Sequence, residues 1–211
     1  RHEPGGGGVN ISRAIGRLSG QSLALYPAGG AIGGMLESLL DQEGVAHRPV
    51  SIQEMTRENL MIFDQSTDEQ FRFGMPGPTL TEEEWQACLR ELSELDPRPD
   101  YVVGSGSLPP GAPEEFYARM ARLVREMGGR AIVDTSEGPL RKAAEEGVYL
   151  LKPNMRELGQ LAGREIEGES DQEAVARRIV ESGKAEVVVL SLGAAGVLLA
   201  TEKEMEGLRA P

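Results

Sequence analysis

Cysteine is almost missing. Cys88 is the single one in 211 residues, so no intrachain disulfide can form and the chain is expected in a reducing compartment such as the cytoplasm. A lone cysteine reads first as a small buried apolar residue. No run of about 18 apolar residues occurs, so no span of ordinary length is expected, and no signal peptide is visible. Positive charge is also short: 22 Lys and Arg face 34 Asp and Glu, a net charge of -12. That balance repels a nucleic-acid backbone or an anionic membrane, so neither is an expected partner, and an anionic ligand must be held by local donors. His2 and His47 are the only histidines and lie at no metal or triad spacing, so both read as surface residues. A GxxxxGK[ST] loop is absent, and no strand precedes the glycine run to frame a dinucleotide fingerprint, which disfavours a nicotinamide-dependent oxidoreductase. The chain begins at Arg1 rather than methionine, so a piece of a longer or processed protein is expected.

What is present is a hydrophobic content of 39%, enough for one core, and a single domain is the expectation for residues 1–211. After "PGGGGVN", Ile11, Ala14, Ile15 and Leu18 repeat at helical spacing. "SLALYPAGG" reads as a strand, and Ile32, Met35, Leu36, Leu39 and Leu40 form a second helical stripe closed by Gly44. Between 45 and 80 the texture changes. "ENLMIFDQ" and "EQFRFGM" flank the turn "STDE", giving a hairpin with no local helix to cover it, expected to project as a small β lid; an ordinary edge hairpin reads the same way. "TEEEWQACLRELSEL" then opens on the capping box Thr81 and Glu84. From "DYVVGSG" to "GVLLAT", strands and helices alternate, which predicts an α/β, three-layer α/β/α sandwich with a mostly parallel central sheet. In such sheets ligands collect where strand ends enter helices.

Three segments at the starts of helices or the ends of strands carry polar chemistry. Gly5 to Gly8 let a ligand approach the backbone just before a helix start, with Asn10 adding an amide; a flexible linker is the rival reading. "GSGSLPPG" can present Ser105 and Ser107, or be a plain turn. In "LLKPNMREL", Pro153 stops a strand and Asn154 caps a helix beside Glu157, which is also ordinary helix-start chemistry.

Taken in order, "GGGGVNISRAI", "GSGSLPPG", "KPNMREL" and "VVVLSLGAAG" resemble the ribokinase-like carbohydrate kinases of the PfkB family, over essentially the whole chain. "YPAGGAIG", "TRENL", "FRFGMPG" and "ESGKAEVVVLSLG" point within that family to the branch acting on fructose 6-phosphate. The resemblance implies transfer of a phosphoryl group from ATP, with Mg2+, to fructose 6-phosphate; tagatose 6-phosphate and fructose 1-phosphate are the alternatives. It implies substrate contacts at Gly6, Gly7, Asn10, Arg57, Arg72 and Ser107. It places Lys152, Asn154, Ser191, Gly193 and Gly196 on the ATP side, and Glu157 near the metal through water. Relatives pair subunits through the projecting lid, so a homodimer is expected.

The resemblance puts the general base on the aspartate of a GAGD motif, and the 211 residues contain none. No catalytic residue is therefore assigned, and an inactive fragment that still binds nucleotide or phosphosugar is the reading from another class. Asp134 in "IVDTS" stands at a strand end, where a loop cap is the plainer explanation.

Overall fold

The computed structural model describes residues 2–209, and these form two compact units. The first unit runs to Leu92 and includes Pro109–Ala112; the second comprises Ser93–Leu108 and the chain from Pro113 onward.

In the first unit, α1 (Gly7–Arg17) leads to β1 (Ala24–Ala28), α2 (Gly30–Gln42) and β2 (His47–Ser51). The strands pair in parallel, and the core joins Val9, Ala24, Tyr26, Ala28 and Leu40, with Leu36 and Val45 packed against it. The helix α1 turns Val9 and Ser12 inward, and Leu18 from the expected stripe is 83% exposed. A small serine lets the helix lie close to the core, a face that a search for large apolar residues does not find. Gly29 is fixed by close approach: a Cβ there would stand 2.2 Å from the Glu54 carbonyl oxygen. His47 is not a free surface residue, because its ring bridges Tyr26 Oη at 3.0 Å and Asp41 Oδ1 at 3.2 Å.

The hairpin is present as β3 (Asn59–Asp64) and β4 (Glu69–Gly74), an antiparallel pair of its own. The hairpin occupies 59–74 of the expected 45–80 segment, and β2, in the first part of that segment, pairs with β1. Pro49 lacks an N–H donor, and that composition hid a strand at the margin of a two-stranded pair. The helix α3 (Glu82–Ser93) buries Trp85, Cys88 and Leu92. Its capping box forms as expected, and Glu84 also accepts from the Gln53 N–H at 2.6 Å, tying the helix start to the end of β2.

The second unit alternates β5 (Tyr101–Ser105), α4 (Phe116–Glu126), β6 (Arg130–Asp134), α5 (Glu137–Glu146) and β7 (Val148–Leu151). It continues through α6 (Met155–Ala162), α7 (Gly168–Glu181), β8 (Ala185–Ser191), β9 (Val197–Thr201) and β10 (Met205–Leu208). The six strands lie in the order β10-β9-β8-β7-β6-β5. Pairs from β5 to β8 are parallel, and β9 and β10 add antiparallel to β8. Inward residues alternate along the strands, with Val133, Leu151, Val188, Leu190 and Ala200 fully buried. The strand-helix alternation therefore gives the expected α/β class with a mostly parallel sheet.

Candidate functional site

Because β5, β6, β7 and β8 are neighbours running the same way, their carboxyl ends form one row. Along that row stand Ser105, Asp134, Lys152 and Ser191, each opening a loop that enters the next element. Ser105 faces Asp134 in the β5–β6 register. Asn154 and Ser191 are joined by a parallel bridge, with the Ser191 N–H donating to the Pro153 carbonyl at 2.8 Å. Two residues 37 positions apart by their numbers thus become neighbours, which the sequence could only imply by resemblance.

A recess of about 220 Å³ opens at this edge, lined by Ser105, Gly106, Ser107, Asp134, Ser136 and Glu157, with Thr135 between them. Lys152 Nζ lies 3.1 Å from Asp134 Oδ1, partly neutralising that carboxylate. Asn154 Oδ1 accepts from the Glu157 N–H at 3.0 Å while Glu157 Oε2 accepts from the Asn154 N–H at 2.9 Å, so the helix start is capped reciprocally. One oxygen of Glu157 is left for another partner.

The bend after β8 is shaped by two glycines. Gly193 and Gly196 have φ of +59° and +104°, and the Leu192 N–H closes the loop on the Gly196 carbonyl at 2.8 Å.

In the first unit, Gly6 precedes α1 with φ +106° and no side chain caps the helix. The Asn10 N–H donates to the Gly6 carbonyl at 2.9 Å, so the first-turn N–H groups ahead of it have no intrahelical acceptor. A Cβ at Gly5, Gly6 or Gly8 would meet nothing within 4 Å, so only open space lies beside this backbone. The sequence reading missed Arg13: its Nη1 donates to both the Pro4 carbonyl and Asn10 Oδ1 at 3.2 Å, and its other side is paired with Glu43. That fixes the glycine turn and leaves the Asn10 NH2 for a ligand. Spacing of three on a helix was the available signal.

Arg57 follows β2 and Arg72 stands opposite Met61 in the hairpin; both are exposed and neither has an ion-pair partner among the described residues. Gly6, Gly7 and Asn10 share one helix start, whereas no hydrogen bond among the described residues joins Arg57 or Arg72 to them. No group of three or more His, Cys, Asp or Glu able to hold a metal occurs among the described residues. Asp134 and Glu157 both line the recess. A larger groove of about 540 Å³ lies between α4 and α5, where Arg122 pairs with Glu146 and Lys142 with Glu145.

A row of loops at the carboxyl edge of a parallel sheet, with a lysine, a capped helix start and a glycine bend, is an arrangement for holding phosphates. The pfkB family carbohydrate kinase model matches residues 1–211, and the chain belongs to that family. It is 44% identical over 201 residues to the ATP-dependent 6-phosphofructokinase isozyme 2 of Mycobacterium tuberculosis, covering 95% of this chain and 59% of that protein. Among solved structures it resembles phosphofructokinase-2 of Escherichia coli in complex with fructose-6-phosphate, with a TM-score of 0.94, 40% identity, and 99% and 69% of the two chains covered. The tetrameric inhibited form of the same E. coli protein matches with the same TM-score, 0.94, and identity, 40%, again over 99% and 69% of the chains. The chain spans about three fifths of the length of the curated relative.

Proposed function

We propose that this chain belongs to an enzyme that transfers the γ-phosphoryl group of ATP to the 1-hydroxyl of fructose 6-phosphate. The single observation that carries the proposal is the alignment of Ser107, Asp134, Lys152, Asn154 and Ser191 along one carboxyl edge, in a chain 44% identical to a 6-phosphofructokinase. In this reading Gly6, Gly7, Asn10, Arg57, Arg72 and Ser107 contact the phosphosugar. The open glycine backbone supports the first three, and the unpaired guanidinium groups support the two arginines. Lys152, Asn154, Ser191, Gly193 and Gly196 serve ATP.

Glu157 and Asp134 would hold Mg2+, mostly through water, and the ion would neutralise charge on the phosphates. The protein's own part is positioning: Lys152 is held by Asp134, the Asn154–Glu157 box fixes the helix start, and Arg13 orients Asn10. The proton acceptor for the sugar hydroxyl is not among these groups, because Asp134 is paired with Lys152 and the 211 residues contain no GAGD. That supports the second reading for the polypeptide alone: it binds both ligands without turning them over. Tagatose 6-phosphate and fructose 1-phosphate are the alternative sugars. The exposed hairpin supports a homodimer formed through it, and the buried lone thiol of Cys88 supports a cytoplasmic location.

The test is an assay of fructose 1,6-bisphosphate formation on the 211-residue chain and on the protein as its gene encodes it. We expect turnover from the second and background from the first, since a missing base costs about 10²- to 10⁴-fold. Robust turnover by the 211-residue chain would make Asp134 the base; none from either, with any of the three sugars, overturns the function.

A further inference from the structure

The loop after β5 is held by one carbonyl. Tyr117 Oη and Thr135 Oγ1, both from buried residues, donate to the Gly106 carbonyl oxygen, each at 2.9 Å. The Gly106 N–H donates to the Asp134 carbonyl at 2.9 Å, so both polar groups of Gly106 are engaged inside the unit. Gly106 has φ +105°, a conformation open to glycine and costly for other residues. Two residues earlier, a Cβ at Gly104 would stand 2.6 Å from the Tyr117 ring, so that glycine makes room for the ring whose hydroxyl reaches Gly106. Both glycines of "GSGS" are thus shaped to Tyr117.

A trans peptide sets its N–H opposite its C=O. The Gly106–Ser107 bond is trans, and its C=O is aimed at two buried hydroxyls. Its N–H, that of Ser107, therefore faces away from them, and Ser107 lines the recess. That N–H has no acceptor among the described residues.

We infer that Tyr117 and Thr135 are positioning residues that lock this peptide so that the Ser107 N–H is presented to an oxygen of the sugar substrate. The inference rests on the function proposed above and deepens it. Burial holds the Tyr117 hydroxyl in its protonated, donating form, with its pKa pushed up to about 12.

The test uses the ¹⁵N-labelled 211-residue chain titrated with fructose 6-phosphate by NMR and by calorimetry, with the variants Tyr117→Phe, Thr135→Val and Thr135→Ser. The Ser107 amide resonance should move on titration of the wild type. Each of Y117F and T135V should weaken binding about 3- to 10-fold, the worth of one hydrogen bond, and T135S should restore it. Melting temperatures taken alongside separate a local loss from a folding defect. Calorimetric binding with an unmoved Ser107 amide, or Y117F and T135V that bind as the wild type does, overturns the inference and leaves the proposed function standing. No heat of binding in the wild type overturns the proposed function and the inference with it.

Discussion

Lys152 Nζ lies 3.1 Å from Asp134 Oδ1, at the ends of two strands that are neighbours in the sheet. The pair leaves Glu157 as the recess carboxylate without a cationic partner among the described residues, since its one engaged oxygen accepts from a backbone N–H. Charge at that position and capping at that position are separable.

Glu157→Gln keeps an oxygen to accept from the Asn154 N–H but removes the negative charge. We expect thermal stability close to wild type and Mg2+-dependent binding of ATP weakened by about tenfold, as loss of a residue near a metal typically gives. Calorimetric titrations with ATP at several Mg2+ concentrations check it. An unchanged Mg2+ dependence would reduce Glu157 to a helix-start acid.

Arg57→Ala should weaken fructose 6-phosphate binding by about tenfold or more while MgATP affinity stays within about twofold, because a charge-assisted contact with phosphate contributes about 1.5 to 3 kcal/mol. Equal losses for the two ligands would remove Arg57 from the sugar-phosphate contacts.

The sequence made some of this visible and hid the rest for identifiable reasons. Asn154 with Glu157, and Thr81 with Glu84, were legible because a cap and its partner are three residues apart. The inward face of α1 was not, because Ser12 holds a core position without being apolar. β2 was hard to see because Pro49 within it lacks the N–H that a strand ladder uses. Tyr117 and Thr135 reach Gly106 across 11 and 29 residues, a convergence that only the folded sheet creates. Asp134 was noticed at a strand end, but its ion pair with Lys152 depends on the β6–β7 pairing.

Glu84 offers a pH test. Its carboxylate accepts from the Thr81 N–H, chiefly, and from the Gln53 N–H, and these hold its pKa below the ordinary value of 4.5. A depressed carboxylate contributes stability in full above the unfolded value and loses it as pH falls through the folded one. Wild type should therefore exceed Glu84→Gln by about 1 to 2 kcal/mol at pH 7, with the gap closing below about pH 4. Denaturant melts across pH 3 to 7 check this, and a gap that stays constant through acid would contradict it.

The hairpin offers another. Register places Leu60, Ile62, Phe71 and Phe73 on one face, all exposed, as an apolar surface with no cover among the described residues. Phe71→Asp should turn a dimer into a monomer in light scattering at micromolar concentration. A wild type that is already monomeric there would contradict pairing through this face.

The central claim is that one chain holds both a phosphosugar and a nucleotide. Calorimetric titration of the 211-residue chain with fructose 6-phosphate, and separately with MgATP, tests it directly. The account predicts one saturable site for each, with fructose 6-phosphate preferred over tagatose 6-phosphate and fructose 1-phosphate; a folded chain that fails to bind either one of the two ligands would contradict it.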